Sequence, residues 1–182
     1  MNWCKLISDI YETRAGQPGI ACEPKFYAAA SAGEIADGEV RLDARLPASI
    51  RSLLLETNGV MEVMAIDGGE WFDSGWLLWT VAEIVEQNLS YRAASEDGRD
   101  ERDFRQLVFF ADAGADGILF AFPVREDRVC APGVVAWHPI MDDLDELTPS
   151  LEGFLKGWLT GTITVYPVLI GGLIANQRLK LL

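Results

Sequence analysis

LVFFADAGADGILFAFPV, residues 107–124, holds two apolar runs around a link built from Asp, Gly and Ala. Leu107 to Ala111 is one run, and Ile118 to Val124 is the other, with Pro123 near its end. Short runs rich in Phe, Val and Ile suit strands better than helices. Asp112, Gly114, Asp116 and Gly117 supply residues that tolerate a tight reversal. The stretch therefore predicts an antiparallel hairpin at the centre of the fold. Working outward, Arg125 to Arg128 reads as a polar turn and Val134 to His138 as a third strand, ended by Pro139. On the other side, Met61 to Ile66 and Trp76 to Trp79 are short apolar runs, with Asp67-Gly68-Gly69 as a turn between them. Asp142, Asp143, Asp145 and Glu146 read as a negative loop.

The flanks change period. Trp3, Leu6, Ile7 and Ile10 form one face of a helix, and Ala15 to Pro24, with Gly16, Pro18 and Gly19, reads as a loop. Ser31 and Glu34 have the spacing of a capping box ahead of Ile35 and Leu42. Leu46-Pro47 breaks that helix, and Ile50, Leu53 and Leu54 resume the spacing until Asn58-Gly59. Thr80 and Glu83 have the same capping spacing ahead of Val81, Ile84, Val85 and Leu89. Ser150 opens a closing helix through Leu151, Phe154, Leu155, Trp158 and Leu159, stopped by Thr160-Gly161. The expected class is α+β: an antiparallel β-sheet flanked by helices, with helices at the N-terminal side and a closing helix near 150–160. Residues 1–30 read as an N-terminal helix and loop, 31–159 as the main domain, and 160–182 as an apolar extension. That extension suits short strands or a homodimer element, and its 13-residue apolar core (ITVYPVLIGGLIA) is too short to span a bilayer as a helix.

The 182 residues carry 28 Asp and Glu against 15 Lys and Arg, a net charge of −13. Such a surface repels phosphate backbones and anionic membranes and attracts basic partners. Acidity also serves plain solubility. The three cysteines are widely spaced and form no C-x-x-C, and the N-terminus has no secretory apolar region. Both fit free thiols in a reducing cytoplasm. A single histidine, His138, excludes His-pair zinc sites, and no phosphate-binding Gly loop or nucleophile elbow occurs.

Several side chains are candidates for contact with a partner. Trp71, Asp73 and Trp76 lie in an aromatic-rich stretch, where an exposed Trp would anchor a protein. Asp112 and Asp116 flank a Gly turn, which fits turn chemistry or pairing with a partner's Lys or Arg; their spacing is not that of a calcium loop. Asp142, Asp143, Asp145 and Glu146 complete the set. Ser95 to Arg105, dense in both signs of charge, reads as a solvated loop. A small hydrolase is the competing reading. It would need Asp112, Asp116 and His138 to converge in one pocket.

The order of the motifs resembles the SUKH superfamily, which includes the fungal Smi/Knr-type cell-wall regulators and many bacterial immunity proteins. The resemblance is carried by Ile35-x-x-x-Glu39-x-x-Leu42, Leu46-Pro47-Ala48-Ser49-Ile50-Arg51 and Leu54-Leu55-Glu56-Thr57-Asn58-Gly59. It continues through Trp79-Thr80-Val81-x-Glu83-Ile84-Val85-x-x-Asn88, the 107–117 segment, and Ser150 to Leu159. Asp43 and Ile50 depart from the pattern, where Gly and an aromatic are common. The resemblance implies protein binding, with no catalytic residue and no cofactor or metal. It implies as partner a cognate toxin or effector, often a nuclease, whose phosphate-binding cleft is basic. A regulatory scaffold of the fungal kind is the alternative it leaves open.

Overall fold

The computed structural model describes residues 1–14, 16–97, 102–114 and 116–165. In chain order the elements are α1 (Trp3–Thr13), β1 (Ile20–Phe26), α2 (Ala32–Leu42), α3 (Ala48–Leu54), β2 (Val60–Ile66), β3 (Phe72–Leu78) and α4 (Val81–Glu96). A short 3-10 turn at Phe104–Gln106 leads into β4 (Leu107–Asp112), β5 (Leu119–Pro123), β6 (Val134–His138), β7 (Asp143–Thr148) and α5 (Leu151–Thr160). The strands form two antiparallel sheets, ordered β1-β2-β3 and β4-β5-β6-β7, so the fold is α+β.

The hairpin at 107–124 is the middle of the larger sheet. Leu107 pairs with Pro123 and Asp112 with Leu119, with a bulge between Phe109 and Ala111. Nearly every residue of β4, β5 and β6 is buried, because helices cover both faces. On one face Tyr91 of α4 meets Phe104, Phe109 and Trp137 at 5.3–5.6 Å between ring centroids. On the other, Phe154 of α5 sits 4.7 Å from Phe120 and 5.6 Å from Phe110, and Trp158 sits 4.8 Å from Phe120. Both capping boxes form, at Ser31–Glu34 and Thr80–Glu83, and Gly161 ends α5 in the left-handed conformation.

The outer edge of β4 has no strand neighbour within its sheet, yet its polar groups are not left bare. Asn88 donates to the Phe109 carbonyl (2.8 Å) and accepts from the Phe109 N–H (2.9 Å). The Trp79 N–H donates to the Phe110 carbonyl at 2.9 Å, which joins the end of β3 to this edge and brings the two sheets together. A buried edge must be satisfied in this way or it destabilises the chain.

The segment 54–59 is a junction. α3 stops at Leu54, short of the expected Asn58-Gly59. Glu56 accepts from the Trp3 and Cys4 N–H groups at the start of α1 (2.7 and 3.2 Å). Thr57, fully buried, accepts from the Tyr27 N–H at 3.0 Å. Asn58 accepts from the Val81 N–H at 2.8 Å, and Gly59 takes φ 99°. These residues tie α1, β1 and α4 to one point. Glu56, Thr57 and Asn58 each spend a side-chain oxygen on these internal bonds.

Three expectations are corrected. Pro24 does not sit in a loop: β1 runs through it, pairing Pro24 with Glu62. β1 is the outer strand of its sheet, where a missing N–H costs no ladder bond. The negative loop at 142–146 is mostly strand. β7 turns Leu144 and Leu147 partly inward and leaves Asp143, Asp145 and Glu146 exposed on the sheet edge. The 95–105 segment is not all solvated loop: Ser95 and Glu96 finish α4, Phe104 is buried, and residues 98–101 lie outside the described set. The extension's described part ends at buried Val165. The expected strand pair or dimer element beyond it also lies outside the described residues.

Gly38 marks a close approach of α2 to α4. A Cβ there would stand 3.1 Å from Val81 Cγ1 and 3.3 Å from Val85 Cγ2. Gly38→Ala is expected to change stability little, since about 1 kcal/mol of helix propensity offsets the tight contact. Gly38→Leu has no room and is expected to lose about 2 kcal/mol in urea denaturation.

Candidate functional site

The nine candidate side chains separate into two groups. Asp73 and Trp76 lie on β3 of the three-stranded sheet, and Trp71 immediately precedes that strand. Trp71 is 48% exposed beside exposed Phe72 and Ile66. Asp73 pairs with Lys25 Nζ at 3.2 Å on the solvent face. Trp76 turns inward, 5.3 Å from the Tyr27 ring, and belongs to the packing of the core. It is therefore a poorer anchor than Trp71.

The other six surround one end of the four-stranded sheet, where the β4–β5 and β6–β7 turns adjoin. The contact is close: a Cβ on Gly117 would meet Pro139 Cγ at 3.2 Å. Asp112 accepts from Trp79 Nε1 (3.2 Å) and from the Gly114 N–H (2.8 Å), so turn chemistry accounts for it. Asp116 holds φ 56° at the tip of the turn. Asp142 accepts from Arg102 Nε and, at 3.0 Å, from Trp137 Nε1. Asp143 accepts from the Leu144 N–H at 2.8 Å, which shields part of the β7 edge. Asp145 Oδ2 lies 3.0 Å from His138 Nε2, and Glu146 is exposed next to it.

Sequence reading missed the apolar members of this end. Ile140 is 83% exposed and Met141 57%, the first the most exposed large apolar side chain of the described residues. The available signal was an apolar pair directly after Pro139 and before the acidic run. With Asp116, Ile118, His138 and Pro139 they line a cleft of about 90 Å³. His138 itself is 4% exposed. Its Nε2 is buried with no aligned hydrogen-bond partner, despite the short distance to Asp145. The structure thus brings Asp116 and His138 to one cleft and commits Asp112 elsewhere. No serine, threonine or cysteine lines the cleft, and it is smaller than the roughly 300 Å³ at which small-molecule sites begin. Among the described residues, no group of three or more His, Cys, Asp or Glu side chains is placed to hold a metal, and no helix is long and apolar enough to cross a membrane.

Arg102 holds the Asp142 carboxyl below the usual carboxylate range, with Trp137 adding to the effect. A carboxyl lowered by folding adds stability above its unfolded pKa, and that stability is lost as pH falls through the folded value. Arg102→Gln is therefore expected to move Asp142 upward in a carboxyl ¹³C titration. The variant is also expected to narrow the acid range, below about pH 4, over which the β6–β7 turn keeps its native shifts.

A search of curated proteins returned no match. A family model, by contrast, matches residues 29–157, well over half of the chain, and covers the 54–59 junction, the central hairpin and most of the closing helix. The chain belongs to the SMI1 / KNR4 family (SUKH-1).

Proposed function

We propose that this chain is a non-catalytic immunity protein, which neutralises a basic toxin in the cytoplasm by stoichiometric binding. One observation carries the reading. The exposed Ile140–Met141 pair stands among Asp116, Asp142, Asp143 and Asp145 on a chain of net charge −13. An apolar centre with a carboxylate rim is the surface that fits a toxin whose cleft must hold phosphates. Membership of a family of protein-binding domains supports it. The hydrolase reading is weaker, because Asp112 is spent on Trp79 and the turn.

The test is co-expression with the product of an adjacent toxin gene. Growth rescue and a co-purified 1:1 complex are expected. Rescue without any complex would overturn the reading. A His138→Gln variant that still binds the toxin but no longer protects would instead favour catalysis.

A further inference from the structure

The cleft beside the β6–β7 turn is walled by apolar side chains: Ile118, Pro139, Ile140 and Met141. Ile118 is buried, while Ile140 and Met141 stand exposed. His138 also lines the cleft, but its Nε2 is buried and lies 3.0 Å from Asp145 Oδ2, so that nitrogen is not offered to an occupant. Asp116 is the acidic member of the lining, and it is exposed at the tip of the β4–β5 turn. Water meets few hydrogen-bond partners against such walls, so an apolar group that displaces it gains free energy.

The geometry points to one aliphatic side chain of a basic partner protein, leucine or its like, as the occupant of this cleft, with Lys or Arg beside it on the partner. Size selects the side chain. The cleft holds about 90 Å³, less than the cavity of about 150 Å³ that takes a benzene ring, so an aliphatic group fits and an aromatic one does not. Chemistry excludes a charged tip as the seated group, because four of the six lining residues are apolar and a desolvated cation there would lack partners. Charge selects the neighbours. Asp116 is exposed in the lining, and Asp143, two residues beyond Met141, is exposed at the start of β7. Both attract cations placed around an apolar knob, and the net charge of −13 steers such a surface inward. An apolar anchor in a pocket with charged groups outside it is the usual anatomy of a binding hot spot. This inference rests on the protein-binding reading and adds to it the seat and the kind of residue that fills it.

The test follows the Ile and Met methyl resonances of the full chain. It is titrated with acetyl-Lys-Leu-Lys-amide and with acetyl-Lys-Asn-Lys-amide, which keeps the size and charge and removes the apolar surface. A third peptide, acetyl-Glu-Leu-Glu-amide, reverses the charge. Saturable shifts are expected at the Ile118, Ile140 and Met141 methyls with the Lys-Leu-Lys peptide. Binding is expected to be about tenfold weaker with asparagine and about fivefold weaker with the glutamates. Met141→Ser, at a position already exposed, is expected to keep the fold and to weaken the Lys-Leu-Lys peptide about fivefold. Asp73→Asn on the other sheet is expected to leave it unchanged. Equal binding of the leucine and asparagine peptides, or no shift at these methyls, overturns the inference. Shifts that follow the concentration of the chain alone give the cleft to a second copy and overturn it too. So does peptide binding that requires Leu179→Asn in the chain's own Arg178-Leu179-Lys180 stretch, which gives the cleft to that stretch. A toxin complex that Met141→Ser leaves as tight overturns the cleft and leaves the immunity reading standing. Leucine-selective binding here with no toxin complex does the reverse.

Discussion

Asn88→Leu is expected to cost about 3 kcal/mol of stability. The carboxamide is 1% exposed. It donates to the Ile84 and Phe109 carbonyls and accepts from the Phe109 N–H, at 2.7–2.9 Å. Leucine has a similar size, so the packing of α4 on β4 survives. What is lost is the partner of a backbone donor and a backbone acceptor in a dry place. Each such orphan costs about 1–3 kcal/mol, and the Ile84 carbonyl still has its place in the helix. The urea midpoint is expected to fall with the slope unchanged, as for a native-state defect in a two-state domain. Asn88→Asp is expected to be worse, since it loses both donations and buries a charge beside a carbonyl. An Asn88→Leu variant as stable as the parent would mean that the β4 edge is satisfied by some other route.

That residue also shows what the sequence could and could not tell. Asn88 was legible as part of a family motif, and the helix around it was legible from Thr80, Glu83 and the apolar stripe. Its role was not, because the need arises from an unoccupied strand edge that only the sheet order creates. The same reasoning covers β1. Pro24 is loop-like by local preference, and only the position of β1 at a sheet edge lets the strand run through it. The central hairpin and the closing helix were legible because pattern, caps and turn residues agree there, and burial on both faces demands that pattern.

The candidate surface was half legible. Carboxylates are easy to count, so Asp116 and the 142–146 cluster were found, but counting does not say that two turns meet. The contact between Gly117 and Pro139 joins them. Ile140 and Met141 were passed over because an exposed apolar pair and a buried one look identical in a sequence. Trp76 misled for the same reason in the opposite direction, as an aromatic next to exposed Trp71 and Phe72 that faces inward.

The rate at which the chain associates with its basic toxin is expected to fall about a hundredfold as salt rises from about 0.01 M to about 1 M, because the screening length contracts from ~30 Å to ~3 Å. Dissociation is expected to change little, since contacts already formed are screened less than approaching charges. The two halves of the surface then separate by kinetics. Neutralising Asp143, Asp145 and Glu146 to their amides removes exposed charge from β7 without touching its backbone pairing. That variant is expected to associate slowly at low salt and to match the parent at high salt. Ile140→Ser keeps every charge and removes apolar area, so it is expected to leave association unchanged and to speed dissociation about tenfold. Stopped-flow mixing at four or five salt concentrations gives both numbers. A flat association rate would remove charge steering from the account while leaving the apolar contact in place. An Ile140→Ser variant that dissociates like the parent would move the contact to the Trp71 side of the other sheet, where Ile66 and Phe72 add further exposed apolar area.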